Sequence, residues 1–139
     1  MTGGVNKMVA MIAGAILVLI GLLGFVLAPE GELLGLFDVN LLHNLVHLLS
    51  GAVLLGAAFM NNGANARITV LVVGVVYALV AIVGFAAPGY IEGLVGDTTN
   101  TVGFMADNVL HLVLAVVFIG VPLLVKEETR RPMMGSPRV

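Results

Sequence analysis

The sequence predicts an all-α fold: a four-transmembrane-helix bundle built from a parallel two-helix repeat, with both termini cytoplasmic. Three observations carry this. The 139-residue chain is 60% hydrophobic and 10% charged, whereas soluble domains are about a quarter charged, so lipid is its solvent. Its apolar residues fall into four stretches, three of them uncharged and the fourth carrying one acid, Asp107, each long enough to cross a hydrocarbon core of ~30 Å at about 1.5 Å per residue. The second and fourth stretches also open alike. Asp107-Asn108-Val109-Leu110-His111 falls on His43-Asn44-Leu45-Val46-His47, with the Asn and the second His repeated and the first His replaced by Asp.

The elements follow in order. Met1–Lys7 is a short polar lead. The first span is 8–28, stopped by Pro29. It exceeds a signal-peptide core and lacks a small-residue cleavage site, so it is read as a retained helix. Glu30–Val39 combines three acids with Leu33, Leu34, Leu36 and Phe37, the composition of a short interfacial segment lying on the membrane. The second span, 41–60, contains His43 and His47. Asn61-Asn62-Gly63-Ala64-Asn65 is a turn by composition, because Asn and Gly tolerate positive φ. The third span, 68–87, stops at Pro88, and Gly89–Phe104 is a long polar connection with a second interfacial turn. The fourth span is 105–125. A single membrane domain therefore covers 1–125, and 126–139 is a charged cytoplasmic tail. With no Trp, the interfacial aromatic belt is assigned to Phe37, Tyr77, Tyr90 and Phe104.

Charge placement orients the chain. Lys7, Arg67, Lys126, Arg130, Arg131 and Arg138 all lie before span one, between spans two and three, or after span four. The other two loops carry only acids: Glu30, Glu32 and Asp38, then Glu92 and Asp97. The positive-inside rule then puts both termini in the cytoplasm of a plasma-membrane protein.

The repeat extends to the ends of spans one and three, where Gly24-Phe25-Val26-Leu27-Ala28-Pro29 matches Gly84-Phe85-Ala86-Ala87-Pro88 with one residue deleted. Two halves in the same orientation are related by an axis along the membrane normal. Spans two and four then sit diagonally, with His47 and His111 facing each other at equal depth in the outer half of the membrane. His43 and Asp107 form a second layer one helical turn farther out. Ala10, Gly14, Gly21 and Gly24, and in the other half Gly74, Ala78, Ala81 and Gly84, allow close helix packing.

The run L-G-L-F-D-V-N-L-L-H-N-L-V-H-L-L-S-G at Leu34–Gly51, with the later D-N-V-L-H-L, resembles a family of small four-span membrane proteins catalogued as domain of unknown function 4383. The resemblance runs from the first span through the fourth. It implies the four-helix membrane architecture and brings no activity or ligand with it.

Polar side chains within lipid-length spans are costly and mark specific interactions. The plainest reading is a structural or accessory subunit in which Asn44 bonds His111 and Asn108 bonds His47, a polar clasp that fixes register. A second reading is a transition-metal ion held by His43, His47, Asp107 and His111. A third is haem with His47 and His111 as axial ligands, against which stands the lack of outer Lys or Arg for the propionates. No general base separate from the ligand set is apparent, which leans against an enzyme. Expected partners are membrane lipid, with the chain as a homo-oligomer or a subunit of a larger membrane complex. The basic tail suits anionic lipid rather than nucleic acid. Absence of cysteine excludes thiolate metal sites and covalently attached haem.

Overall fold

The computed structural model describes residues 3–28, 31–91 and 101–125. Its elements are α1 (Gly3–Leu27), β1 (Gly31–Leu33), β2 (Phe37–Val39), α2 (Leu41–Phe59), α3 (Ala66–Ala86) and α4 (Thr101–Leu124), with 3-10 turns at Met60–Gly63 and Pro88–Tyr90. All four helices are long and apolar enough to span a membrane. The stop at Pro29, the acids Glu30, Glu92 and Asp97, most of the second interfacial turn and the tail 126–139 lie outside the described residues. Thr101–Phe104 belong to α4 rather than to the loop before it.

Local chemistry sets the helix ends. Asn40 caps α2, its side-chain oxygen accepting the His43 backbone N–H at 2.8 Å, which satisfies a donor the helix cannot. Beyond α2, Asn61, Asn62 and Gly63 are left-handed, with φ of 47°, 56° and 82°. These residue types take that conformation at least cost, so the chain reverses here. Two cations tie this end of the bundle together. Lys7 Nζ donates to Asn62 Oδ1 at 3.0 Å, and Arg67 Nε donates to the Pro122 carbonyl at 2.9 Å. The second bond satisfies a carbonyl in the last turn of α4.

α1 packs closely on α2 and α3 on α4, while α2 and α4 scarcely touch through their backbones. The two pairs use the same contacts in the same register. A methyl group on Gly14 would strike Leu55, and one on Gly74 would strike Ile119; one on Gly24 would strike the Asn44 amide, and one on Gly84 the Asn108 amide. The internal repeat is thus a repeat of packing as well as of letters. Burial is inverted relative to a soluble protein. Large apolar side chains such as Ile12, Leu49, Leu79 and Val116 face outward, while Asn6, Asp38, His43, Asn44, His47, Asp107, Asn108 and His111 are buried.

The buried interior has two storeys. Leu54, Ala58, Val70, Val73 and Phe118 belong to an apolar core in the half nearer the Asn61–Gly63 turn. Apart from Asn6, which sits beside Lys7 at the other end, the buried polar side chains fill the half nearer the β-hairpin. That hairpin corrects the expectation of a segment lying on the membrane. β1 and β2 pair antiparallel, Glu32 opposite Asp38, and Leu33 and Val39 pack with Ala28 against the bundle. Leu34 and Gly35 are both left-handed, with φ of 58° and 65°, and form a primed turn closed by the Leu36 N–H on the Leu33 carbonyl at 3.3 Å within the three-residue loop of the hairpin. Tyr77 and Phe104 are also corrected: they are 3% and 5% exposed and belong to the interior, not to an interfacial belt.

Candidate metal centre

His43 and His47 stand on successive turns of α2, and His111 reaches them from α4. The ring centroids lie 4.6 Å apart for His43–His47, 5.6 Å for His43–His111 and 5.9 Å for His47–His111. All three side chains are buried, with one ligand nitrogen from each falling within 4.8 Å of the others. The expected pairing of His47 with His111 across the bundle is present. His43, however, joins them in one cluster instead of forming a separate layer with Asp107. Helical side chains lean toward the helix N-terminus, so His47 reaches back to His43, and their Nε2 atoms meet at 2.8 Å.

The hydrogen bonds assign tautomers for neutral rings. His43 Nδ1 lies 3.2 Å from the Asp38 backbone carbonyl, which only accepts, so Nδ1 carries the proton. The His43 Nε2 lone pair then faces the cluster and accepts from His47 Nε2–H. His47 Nδ1 is left without a hydrogen-bond partner among the described residues, as is His111 Nδ1. Two ligands of a tetrahedral ion with bonds of about 2.0–2.1 Å lie about 3.3 Å apart; the His43–His47 pair is closer than this, and the spread of up to 4.8 Å among the three rings is wider.

Asp107 lies outside this group of three. It is 3% exposed; its carboxyl group accepts from the Asp38 backbone N–H, and its Oδ2 has no hydrogen-bond partner among the described residues. Asp38 thus ties the hairpin to both helices, through its carbonyl to His43 and through its N–H to Asp107. A cavity of about 90 Å³ lies beneath the hairpin, where Leu34 and Phe37 face His43, His47 and Asp107.

The asparagines do not meet the histidines. Asn44 Nδ2 donates to the Ala28 carbonyl at 3.4 Å, across the notch left by Gly24. Asn108 sits over Gly84 in the same way, with neither amide atom hydrogen-bonded among the described residues. Each asparagine therefore locks its own helix pair, α1–α2 or α3–α4, and the clasp does not run across the bundle.

Tyr77 is the site residue that reading the chain missed. It stands edge-on to His111, centroids 5.3 Å apart, and its hydroxyl pairs with Ser50 Oγ at 3.1 Å. The repeat contains the signal that finds it: Tyr77 takes the place in α3 that buried Leu17 takes in α1. A cavity of about 20 Å³ between Tyr77, His43, His47 and His111 holds about one water. A porphyrin does not fit between His47 and His111 in this arrangement, because the His43 and Tyr77 rings occupy that space.

Neither a curated protein nor a solved structure matches the chain. The model of the family described as Domain of unknown function (DUF4383) matches residues 7–124, and the chain, a four-helix membrane protein, belongs to that family.

Proposed function

We propose that this membrane protein binds one transition-metal ion through His43, His47 and His111. The observation that carries the reading is the convergence of three buried imidazoles, with a ligand nitrogen from each within 4.8 Å of the others. Neutral imidazole suits Zn, Cu, Ni or Fe(II), and three protein ligands leave a position open for water or another donor. The cavity of about 20 Å³ beside the rings has room for one such molecule. Ring nitrogens without partners in a lipid-surrounded interior are costly, and a bound ion relieves that cost. The asparagines supply the structural part of the design by fixing each helix pair.

The orientation expected from charge is part of this reading. Lys7 and Arg67 both lie at the end opposite the hairpin, bonded to Asn62 and Pro122, which supports a cytoplasmic location for that end in a plasma-membrane protein. The metal reading is tested by titrating detergent-purified, chelator-stripped protein with Co(II), following the visible absorption bands and the metal-to-protein ratio. The expected result is one equivalent bound with the spectrum of a nitrogen-rich, low-coordinate site, lost in His47→Leu. No saturable binding of Co(II), Zn(II), Cu(II) or Ni(II) by the wild-type chain refutes it.

A further inference from the structure

We propose that the cavity beneath the β-hairpin is a second cation site: a vestibule in which Asp107 receives a divalent transition-metal ion and delivers it to the histidines. This rests on the metal reading of the three rings. Asp107 is the buried side chain whose arrangement calls for a ligand. Among the described residues one side of its carboxyl group is engaged, by the Asp38 N–H, while Oδ2 has no partner in a residue 3% exposed. The adjoining space of about 90 Å³ also touches His43 and His47, so one cavity connects the carboxylate to the cluster. It has room for a cation that keeps several waters.

Among the described residues, two other routes toward the rings are apolar. Toward the Asn61–Gly63 turn, Leu54, Val70, Val73 and Phe118 form a dry core. The groove between α1 and α4, about 260 Å³, is lined by apolar side chains apart from His47. Along either route a hydrated ion meets apolar side chains before it meets His47 or Tyr77, which is costly. Under the hairpin the carboxylate supplies the first replacement ligand, and the rings supply the next. The internal repeat explains the placement. Asp107 stands in α4 where His43 stands in α2, so the position that would complete a symmetric set of histidines instead carries a hard oxygen donor. Oxygen ligands exchange with water more readily than the full imidazole set holds the ion, which suits a receiving site.

The chain has no cysteine, so single-cysteine variants give clean accessibility readings. Asp107→Cys is compared with Leu34→Cys at the hairpin tip and Asn62→Cys at the opposite end, in membrane vesicles of both orientations, with a membrane-impermeant cationic thiosulfonate. Asp107→Cys is expected to label only from the side that labels Leu34→Cys, and Cd(II) is expected to slow that labelling about tenfold or more. Labelling from the Asn62 side, from neither side, or at a rate Cd(II) leaves unchanged overturns the proposal. Asp107→Asn keeps the shape and removes the ionisable carboxyl group. Stopped-flow Co(II) uptake by this variant is expected to reach the wild-type end point about tenfold more slowly. An unchanged uptake rate overturns the vestibule alone, whereas a wild-type protein that takes up no Co(II) overturns the metal reading and the vestibule with it.

Discussion

Gly24 and Gly84 are equivalent in the repeat, yet replacing them by alanine is expected to cost different amounts. In both, the added methyl group meets the amide of the partner asparagine well inside van der Waals contact. Overpacking of this kind costs about 1–3 kcal/mol. At Gly24 the displaced Asn44 also loses its bond to the Ala28 carbonyl, stranding a buried amide for about 1–3 kcal/mol more. Alanine returns about 1 kcal/mol of helix propensity. Gly24→Ala should therefore lose roughly 3 kcal/mol, and Gly84→Ala, whose Asn108 amide has no bond to lose among the described residues, roughly 1 kcal/mol. Gly56 and Gly120 have open space where a methyl group would go, so alanine there should stabilise by up to about 1 kcal/mol. Reversible unfolding in mixed detergent–SDS micelles, followed by circular dichroism, gives all four values. Combining Gly24→Ala with Asn44→Ala removes the obstacle and should cost less than the two changes summed. A Gly24→Ala protein as stable as Gly56→Ala, or less affected than Gly84→Ala, refutes the packing described.

His47→Gln should lose nearly all bound Co(II) while leaving the helical content intact, measured by metal analysis and circular dichroism; a Gln variant that retains a full equivalent contradicts imidazole ligation. Leu34 has a φ of 58° and is 82% exposed, so Leu34→Gly should relieve about 1 kcal/mol of backbone strain, seen as a raised unfolding midpoint. In intact cells, an impermeant thiol reagent should label Leu34→Cys and leave Asn62→Cys unmodified; the reverse pattern inverts the orientation.

Much of the fold was legible because lipid imposes simple demands. Four long apolar stretches announced four helices, and Asn61-Asn62-Gly63 announced its own turn. The histidine pair on α2 and the single histidine on α4 were equally visible, since few other polar groups interrupt the spans. What the chain concealed was partnership. Nothing local distinguishes an asparagine that bonds a histidine from one that fills a glycine notch, because both sit on the buried face of a helix. Gly24 and Gly84 were visible as small residues, but the side chain each admits depends on how two helices lie together. The β-hairpin was hidden because three-residue strands leave too short an alternation to separate from an amphipathic turn. Tyr77 was misplaced because a tyrosine within a span reads as an interfacial anchor until Ser50 is found beside its hydroxyl.

The two-storey interior has an electrical consequence. His47 lies about 9 Å along α2 by helical rise, roughly one third of the way across a ~30 Å hydrocarbon core. Below it, the layer around Leu54 and Phe118 acts as an insulator, so the bundle is a cup and not a wire. A divalent ion at that depth senses at most about 1.5 kcal/mol for each 100 mV across the membrane. That is about a tenfold change in occupancy, obtained without any charge passing through the protein.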